Sequence, residues 1–267
     1  EMDNGWNVTV SYELDNNELT SSANMDSHSV KIDTNGMGVI TFSGHGGSSA
    51  MGAVDDVMPT AYGESFDILS ATNEQGKTGT QVFNAIGSAG SNNMFHYSSG
   101  DLVDGFAISA SYTPADGTTE VESSVDFAVE YTGMEGLTIG FASGENNAEG
   151  ATNNTDNTTM YVKYAYGPVT VGYQESEIDS TSTNNDDDFE AYGITYQVTD
   201  DLTIGYHASE RQFGDKTADQ ETKSIQAAYT MGGMTFKAQS VSMDNTGGST
   251  AANDDVDGYK MSVSFAF

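Results

Sequence analysis

A residue period of two runs through this chain from end to end. Its last nine residues, YKMSVSFAF, put Tyr259, Met261, Val263, Phe265 and Phe267 on one face, and Lys260, Ser262, Ser264 and Ala266 on the other. Trp6, Val8, Val10 and Tyr12 alternate in the same way, as do Phe106, Ile108, Ala110 and Tyr112, and Tyr192, Ile194, Tyr196 and Val198. Successive side chains of a strand point to opposite faces, so each of these segments is a strand with one apolar and one polar side. About fourteen segments carry the pattern, and helical periodicity is nearly absent.

The connections between them alternate in length. Short turns such as Thr34–Gly38, Asp101–Gly105, Gly167-Pro168 and Gly232-Gly233 are interleaved with long polar stretches. Those are 15–27, 46–91, 114–122, 144–157, 175–187, 211–221 and 243–256. An antiparallel meander gives this rhythm when one end faces a confined compartment and the other faces open solvent. A soluble sandwich also alternates. Two features argue against it: strand lengths suit a tilted membrane crossing of ~9–11 residues, and aromatics gather at strand ends (Tyr12, Tyr112, Tyr131, Tyr166, Tyr173), as in an interfacial girdle.

Charge excludes some partners. Eight basic residues stand against 40 acidic ones, a net charge of −32, which argues strongly against nucleic acid as a partner. Such self-repulsion alone suggests disorder, but 14 Tyr, 12 Phe and 12 Met in spaced clusters argue for folded strands. The absence of Cys removes thiolate catalysis, disulfides and Cys-based zinc sites. With 30 Gly and only 3 Pro, the composition is that of an all-β chain rich in turns. No HExxH, GxSxG or P-loop pattern occurs. GHGGSS at 44–49 could form an oxyanion-type glycine loop, but no nucleophile motif accompanies it.

Short motifs carry a further signal: Glu1-Met2-Asp3-Asn4-Gly5-Trp6 resembles the E-L-D-N-G-L turn that leads into the third strand of the Gram-negative outer-membrane general porins. Gly38–His45 resembles the G-T-V-K-F-G-R strand that runs into their constriction loop, and Asn93–Ser99 resembles N-S-I-R-Y-x-S, the strand leaving it. SGHGGSSA and AVDDVMPTAYGESFD look most like porins of marine alphaproteobacteria. The resemblance implies a transmembrane antiparallel up-and-down β-barrel of sixteen strands, with about fourteen visible here and two expected upstream. Residues 1–267 then form a single barrel domain, with 46–91 as an inward-folded constriction loop. It also implies a homotrimer in the bacterial outer membrane, in contact with membrane lipid and lipopolysaccharide, and makes Phe267 the assembly signal.

The expected function is passive diffusion of small hydrophilic solutes and ions, with no chemical step and no required cofactor. In the loop, Asp55, Asp56, Glu64 and Asp67 form the expected acidic edge of the constriction, with Lys77 the loop's single basic residue. A structureless connection of this length is usually functional. Strand parity sends Lys31, Lys163, Lys237 and Lys260 to the polar face, since a lysine at the lipid midplane would cost ~2–4 kcal/mol. His45 and His96 fall at or beside positions where relatives carry wall arginines. Acids at Asp33, Glu130 and Glu190 are also expected inward, so the acidic balance points to cation preference, screened at high salt.

Two acidic clusters, Asp186-Asp187-Asp188 and Asp254, Asp255 and Asp257, are candidate Ca²⁺ or Mg²⁺ ligands on external loops. A solvated acidic loop is the plainer reading of both. Two other functions stay open: a secreted or surface-layer acidic β protein that adheres through Ca²⁺, and a substrate-specific outer-membrane channel.

Overall fold

The computed structural model describes residues 2–13, 27–54, 56–66, 92–115, 123–146, 154–181, 186–250 and 255–266. Among them, fourteen strands form one antiparallel sheet in which every hydrogen-bonded neighbour is the next strand in sequence. They are β1 (Asn7–Glu13), β2 (Ser27–Asp33), β3 (Val39–His45), β4 (Met94–Val103), β5 (Phe106–Thr113), β6 (Ser124–Met134) and β7 (Leu137–Asn146). There follow β8 (Thr155–Tyr166), β9 (Val169–Ser180), β10 (Asp187–Thr199), β11 (Leu202–Phe213), β12 (Gln220–Met231), β13 (Met234–Asp244) and β14 (Val256–Phe265). The up-and-down order is the one the alternation of short and long connections predicts.

By contacts, β1–β6 belong to one compact unit and β9–β14 to another, with β7 and β8 divided between them. In the first unit Val8, Ile32, Ile40 and Tyr97 lie across one another in register, as do Val10, Val30, Phe42 and Phe95. Phe42 and Phe95 touch with ring centroids 5.0 Å apart. At the short-turn end, Phe106 meets Tyr131 at 4.7 Å. The turn there needs Gly105, whose φ is +79° and whose missing Cβ leaves room for the backbone of Gly133.

The second unit is apolar outside and polar within. Ile225 is 71% exposed and Tyr259 79%, whereas Gln226 is 2% exposed and His207 is fully buried. The burial of β12 alternates accordingly, with Gln220, Thr222, Ser224 and Gln226 buried and Lys223 and Ile225 exposed. Burying polar groups and exposing apolar ones is unfavourable in water, and becomes sensible when the apolar face meets hydrocarbon.

The strands run further than their apolar stripes. β10 has 13 residues, ~43 Å of strand, against the ~9–11 residues that a tilted crossing needs. Beyond Tyr173 the same face of β9 continues with Glu175, Glu177 and Asp179. The hydrogen-bond ladder persists there although the apolar signal has ended, so several long connections are shorter than the sequence suggests. The connection expected over 175–187 contracts to 181–186, and that over 211–221 to 214–219.

Parity also corrects one acid. Glu190 lies on the same face as Tyr192 and Ile194, opposite Glu175 and Glu210, and not on the polar face. Asp33 stands beside Lys31 on the polar side of β2, and Glu130 falls on the polar side of β6.

Candidate functional site

The polar face of β9–β13 is built as a seat. In register order across β9 to β14, one row reads Gly172, Gly193, His207, Ser224, Val241 and Gly258. The next row toward the short turns reads Thr170, Thr195, Gly205, Gln226, Gln239 and Lys260. Onto these rows lies the segment 56–66 of the long connection.

Glycines make the room. A Cβ on Gly172 would stand 2.6 Å from Pro59 Cδ, and one on Gly193 would stand 2.5 Å from the Pro59 carbonyl oxygen. On Gly205 it would reach 3.1 Å from the Ala61 nitrogen. Glycine inside a strand weakens it, and is found where another backbone approaches closely.

Glutamines supply the grip. Gln226 Oε1 accepts the amides of Ala61 at 2.8 Å and Tyr62 at 3.0 Å, while its Nε2 donates to the Gly63 carbonyl at 2.6 Å. Gln239 Nε2 donates to the carbonyls of Gly63 at 3.2 Å and Glu64 at 2.9 Å. Each such bond contributes ~1 kcal/mol net, and each buried partner left alone costs ~1–3 kcal/mol. The chain then turns back over β11 and β12. Ser65 Oγ lies 2.6 Å from Thr222 Oγ1, which lies 2.5 Å from Ser209 Oγ. Phe66 closes the seat, edge-on to Phe189 and His207 with both centroids 5.8 Å away.

The expected loop acids are placed differently from one another. Glu64 is 4% exposed, and its carboxylate accepts the Met58 amide at 3.2 Å and stands 3.9 Å from His207 Nε2. It is therefore part of the grip between loop and wall. Asp56 is exposed. Asp55, Asp67 and Lys77 lie outside the described residues, as does the remainder of the connection, 67–91.

On the wall, Lys237 and Lys260 approach the Tyr62 ring, with ammonium nitrogens 5.9 and 5.2 Å from its centroid. Lys163 lies 5.5 Å from the Tyr161 ring on the same polar face. In the first unit, Lys31 faces Thr9 and Thr41, and His45 is exposed opposite His28. There the connection opens with Gly46–Val54. Its Ala50 amide donates to Ser111 Oγ at 2.7 Å, and His96 Nδ1 donates to the Ser48 carbonyl at 3.1 Å. The loop base is drawn together by the Gly46 amide on Asn92 Oδ1 at 3.2 Å.

The consecutive aspartates do not form one cluster. Asp186 Oδ1 accepts the Ser180 amide at 2.8 Å, and Asp187 pairs with Arg211 at 2.5 Å. Asp188 points to the other face, opposite Glu177. Asp255 Oδ1 accepts the Asn245 amide at 3.1 Å, and Asp257 lies across from Ser242. Asp254 and Phe267 are outside the described residues. Among those described, no three His, Asp or Glu are grouped to hold a metal ion.

A loop folded onto the polar face of a long antiparallel meander is the arrangement the sequence motifs imply. The family model described as Gram-negative porin matches residues 1–267. The chain belongs to the Gram-negative porin family. As a porin it is an outer-membrane channel protein, and its apolar face is the lipid-facing one. The anion-selective porin of Comamonas acidovorans is similar in structure, with a TM-score of 0.67 at 12% identity over 100% of this chain and 86% of that one. The in-vitro folded, trimer form of the Vibrio cholerae outer membrane protein OmpT gives 0.56 at 15%, over 91% and 80%. A mutant of the Rh. blastica porin gives 0.60 at 14%, over 100% and 86%. No curated protein matches the chain.

Sequence reasoning missed Gln226, Gln239, His207 and the glycines of the seat. Gly172, Gly193 and Gly205 carried the signal: each interrupts the polar face of a strongly alternating strand, where a backbone must come close.

Proposed function

We propose that this porin is a passive diffusion channel for small hydrophilic solutes and ions, with its size limit set by the connection 46–91. The observation that carries this reading is the seat: glycine clearance and five glutamine hydrogen bonds hold Ala61–Glu64 flat on the polar face. A loop held so closely narrows the water-filled path by a fixed amount.

Cation preference follows from charge. The shared fold leaves its sign open, since the Comamonas porin is anion-selective. Here 40 acidic residues against eight basic ones give the permeation path a negative potential. Lys31, Lys163, Lys237, Lys260, His45 and His96 line the wall in this reading, and Asp55, Asp56 and Asp67 supply acids of the loop. Glu64 and His207 position the loop. Assembly as a homotrimer is supported by the OmpT trimer, and Phe267 acts as the assembly signal. No cofactor is required, and Ca²⁺ or Mg²⁺ binds only at external carboxylates.

Planar-bilayer recording tests the function. Stepwise conductance, linear in solute concentration, with a cation-selective reversal potential supports it. Saturation at low concentration of one solute would mark a substrate-specific channel instead.

A further inference from the structure

The carboxylates of the second unit avoid its polar face. Among the described residues of β9–β14, that face carries one, Asp187, and Arg211 pairs with it at 2.5 Å. Glu175, Glu190, Glu210 and Glu221 all have the opposite parity, as do Asp244 and Asp257. The loop segment adds Glu64, which is buried against the Met58 amide and His207. The first unit, by contrast, keeps Asp33 and Glu130 on its polar side. In a chain of net charge −32, a panel of strands so poor in acids is a local departure.

Two cations on that panel are left without an ion pair. Lys237 and Lys260 have no carboxylate partner among the described residues, whereas Arg211, Lys216 and Lys223 each have one. Lys260 faces Gln239 and Lys237 faces Ser262, so the two lysines are diagonal neighbours on β13 and β14, ~7–8 Å apart at the backbone. Both ammonium nitrogens approach one ring, that of Tyr62, at 5.9 and 5.2 Å from its centroid. Like charges so placed repel one another, and an anion between them turns the repulsion into attraction. Tyr62 and Ser262 bring hydroxyl groups to the same place. The pair stands apart from the positions where relatives carry wall arginines, which here hold or adjoin His45 and His96.

We propose that Lys237, Lys260 and Tyr62 bind the phosphate group of a small solute at the edge of the loop. A phosphate carries close to two negative charges on one centre. That matches two ammonium ions converging on one ring, whereas a carboxylate carries a single charge. Lysine meets such a group as a compact point charge and needs no planar fit. The acidic balance of the whole chain sets which small ions predominate, and the lysine pair lengthens the stay of a phosphorylated solute. Transit of that solute rests on the channel reading; its binding to the lysine pair does not.

Titration calorimetry of the purified protein in detergent tests it, with inorganic phosphate, glucose 6-phosphate and acetate as probes in mildly alkaline buffer. Wild type should bind phosphate at one site per protomer, and acetate about tenfold or more weakly, as one charge-assisted contact fewer implies. Glucose 6-phosphate bound more tightly than phosphate would mark an organic phosphate as the solute, and equal or weaker binding would mark the ion itself. Lys237→Gln and Lys260→Gln should each weaken phosphate about tenfold, while Lys223→Gln, on the opposite face, should leave it unchanged. Heat-modifiable migration checks that the variants fold. In planar bilayers, phosphate added to KCl should reduce the wild-type current saturably, and not that of the double lysine variant. The proposal is overturned by a wild type that binds no phosphate, by acetate bound as tightly, or by an equal loss in Lys223→Gln. Conductance steps without phosphate binding sink it alone; binding without steps leaves it standing and sinks the channel reading.

Discussion

Ser65 and His207 meet beneath the loop at a single atom: the Ser65 amide donates to His207 Nδ1 at 3.1 Å, and Ser65 Oγ lies 2.8 Å from the same nitrogen. A backbone amide can only donate, so Nδ1 is the acceptor, and the neutral ring carries its hydrogen on Nε2, the nitrogen facing Glu64. His207→Ala would leave the buried Ser65 amide without its acceptor, at ~1–3 kcal/mol. The expected result is a noisier open-channel current with the fold intact, and His207→Asn, whose amide oxygen offers an acceptor, should partly restore quiet openings. A current as quiet in His207→Ala as in wild type would contradict this role.

Gln226 and Gln239 stand in register on adjacent strands and grip the same stretch of the loop. Gln226→Ala with Gln239→Ala removes five hydrogen bonds to Ala61–Glu64, ~5 kcal/mol in sum. Liposome-swelling rates for sugars of increasing mass should then shift to a larger exclusion limit. An unchanged limit would mean that aperture does not depend on this part of the loop.

Adding one carbon to the seat should act in the same direction. Gly193→Ala drives a methyl against the Pro59 carbonyl, and such overpacking typically costs ~1–3 kcal/mol. Gly172→Ala meets the Pro59 ring. Both variants should change single-channel conductance, and thermal melts in detergent should fall for the two variants together with the change in conductance.

Charge reversal at the wall tests selectivity. Lys237→Glu and Lys260→Glu remove the two cations nearest Tyr62 and add two anions. The reversal potential in a KCl gradient should move further toward cation selectivity, and less so at high salt. An unchanged reversal potential would show that these lysines lie off the permeation path.

The sequence announces strand faces well and strand ends poorly. Alternation locates all fourteen strands because lipid imposes an apolar demand on every second residue. That demand stops at the interface, so nothing in Glu175–Ser180 or in Gln220–Lys223 betrays that the ladder continues. Glu190 illustrates the same limit: it stands near the strand end, expected inward by position, whereas its parity with Tyr192 puts it on the apolar strand face. Beyond the glycines that interrupt single strands, the seat has no sequence signal, for another reason. It depends on which rows of distant strands come into register, bringing Gln226 beside Gln239 and Gly172 beside Gly193. A single strand shows only a glycine or a glutamine on its polar side. In the sequence Glu64 stands with the acids of the constriction edge, and its burial beside His207, 143 positions away, has no local signal.

Planar-bilayer recording of the purified protein across a KCl gradient bears most directly on the diffusion channel. Discrete conductance steps with a cation-selective reversal potential are the expected result. The absence of steps, or an anion-selective reversal potential, would contradict it.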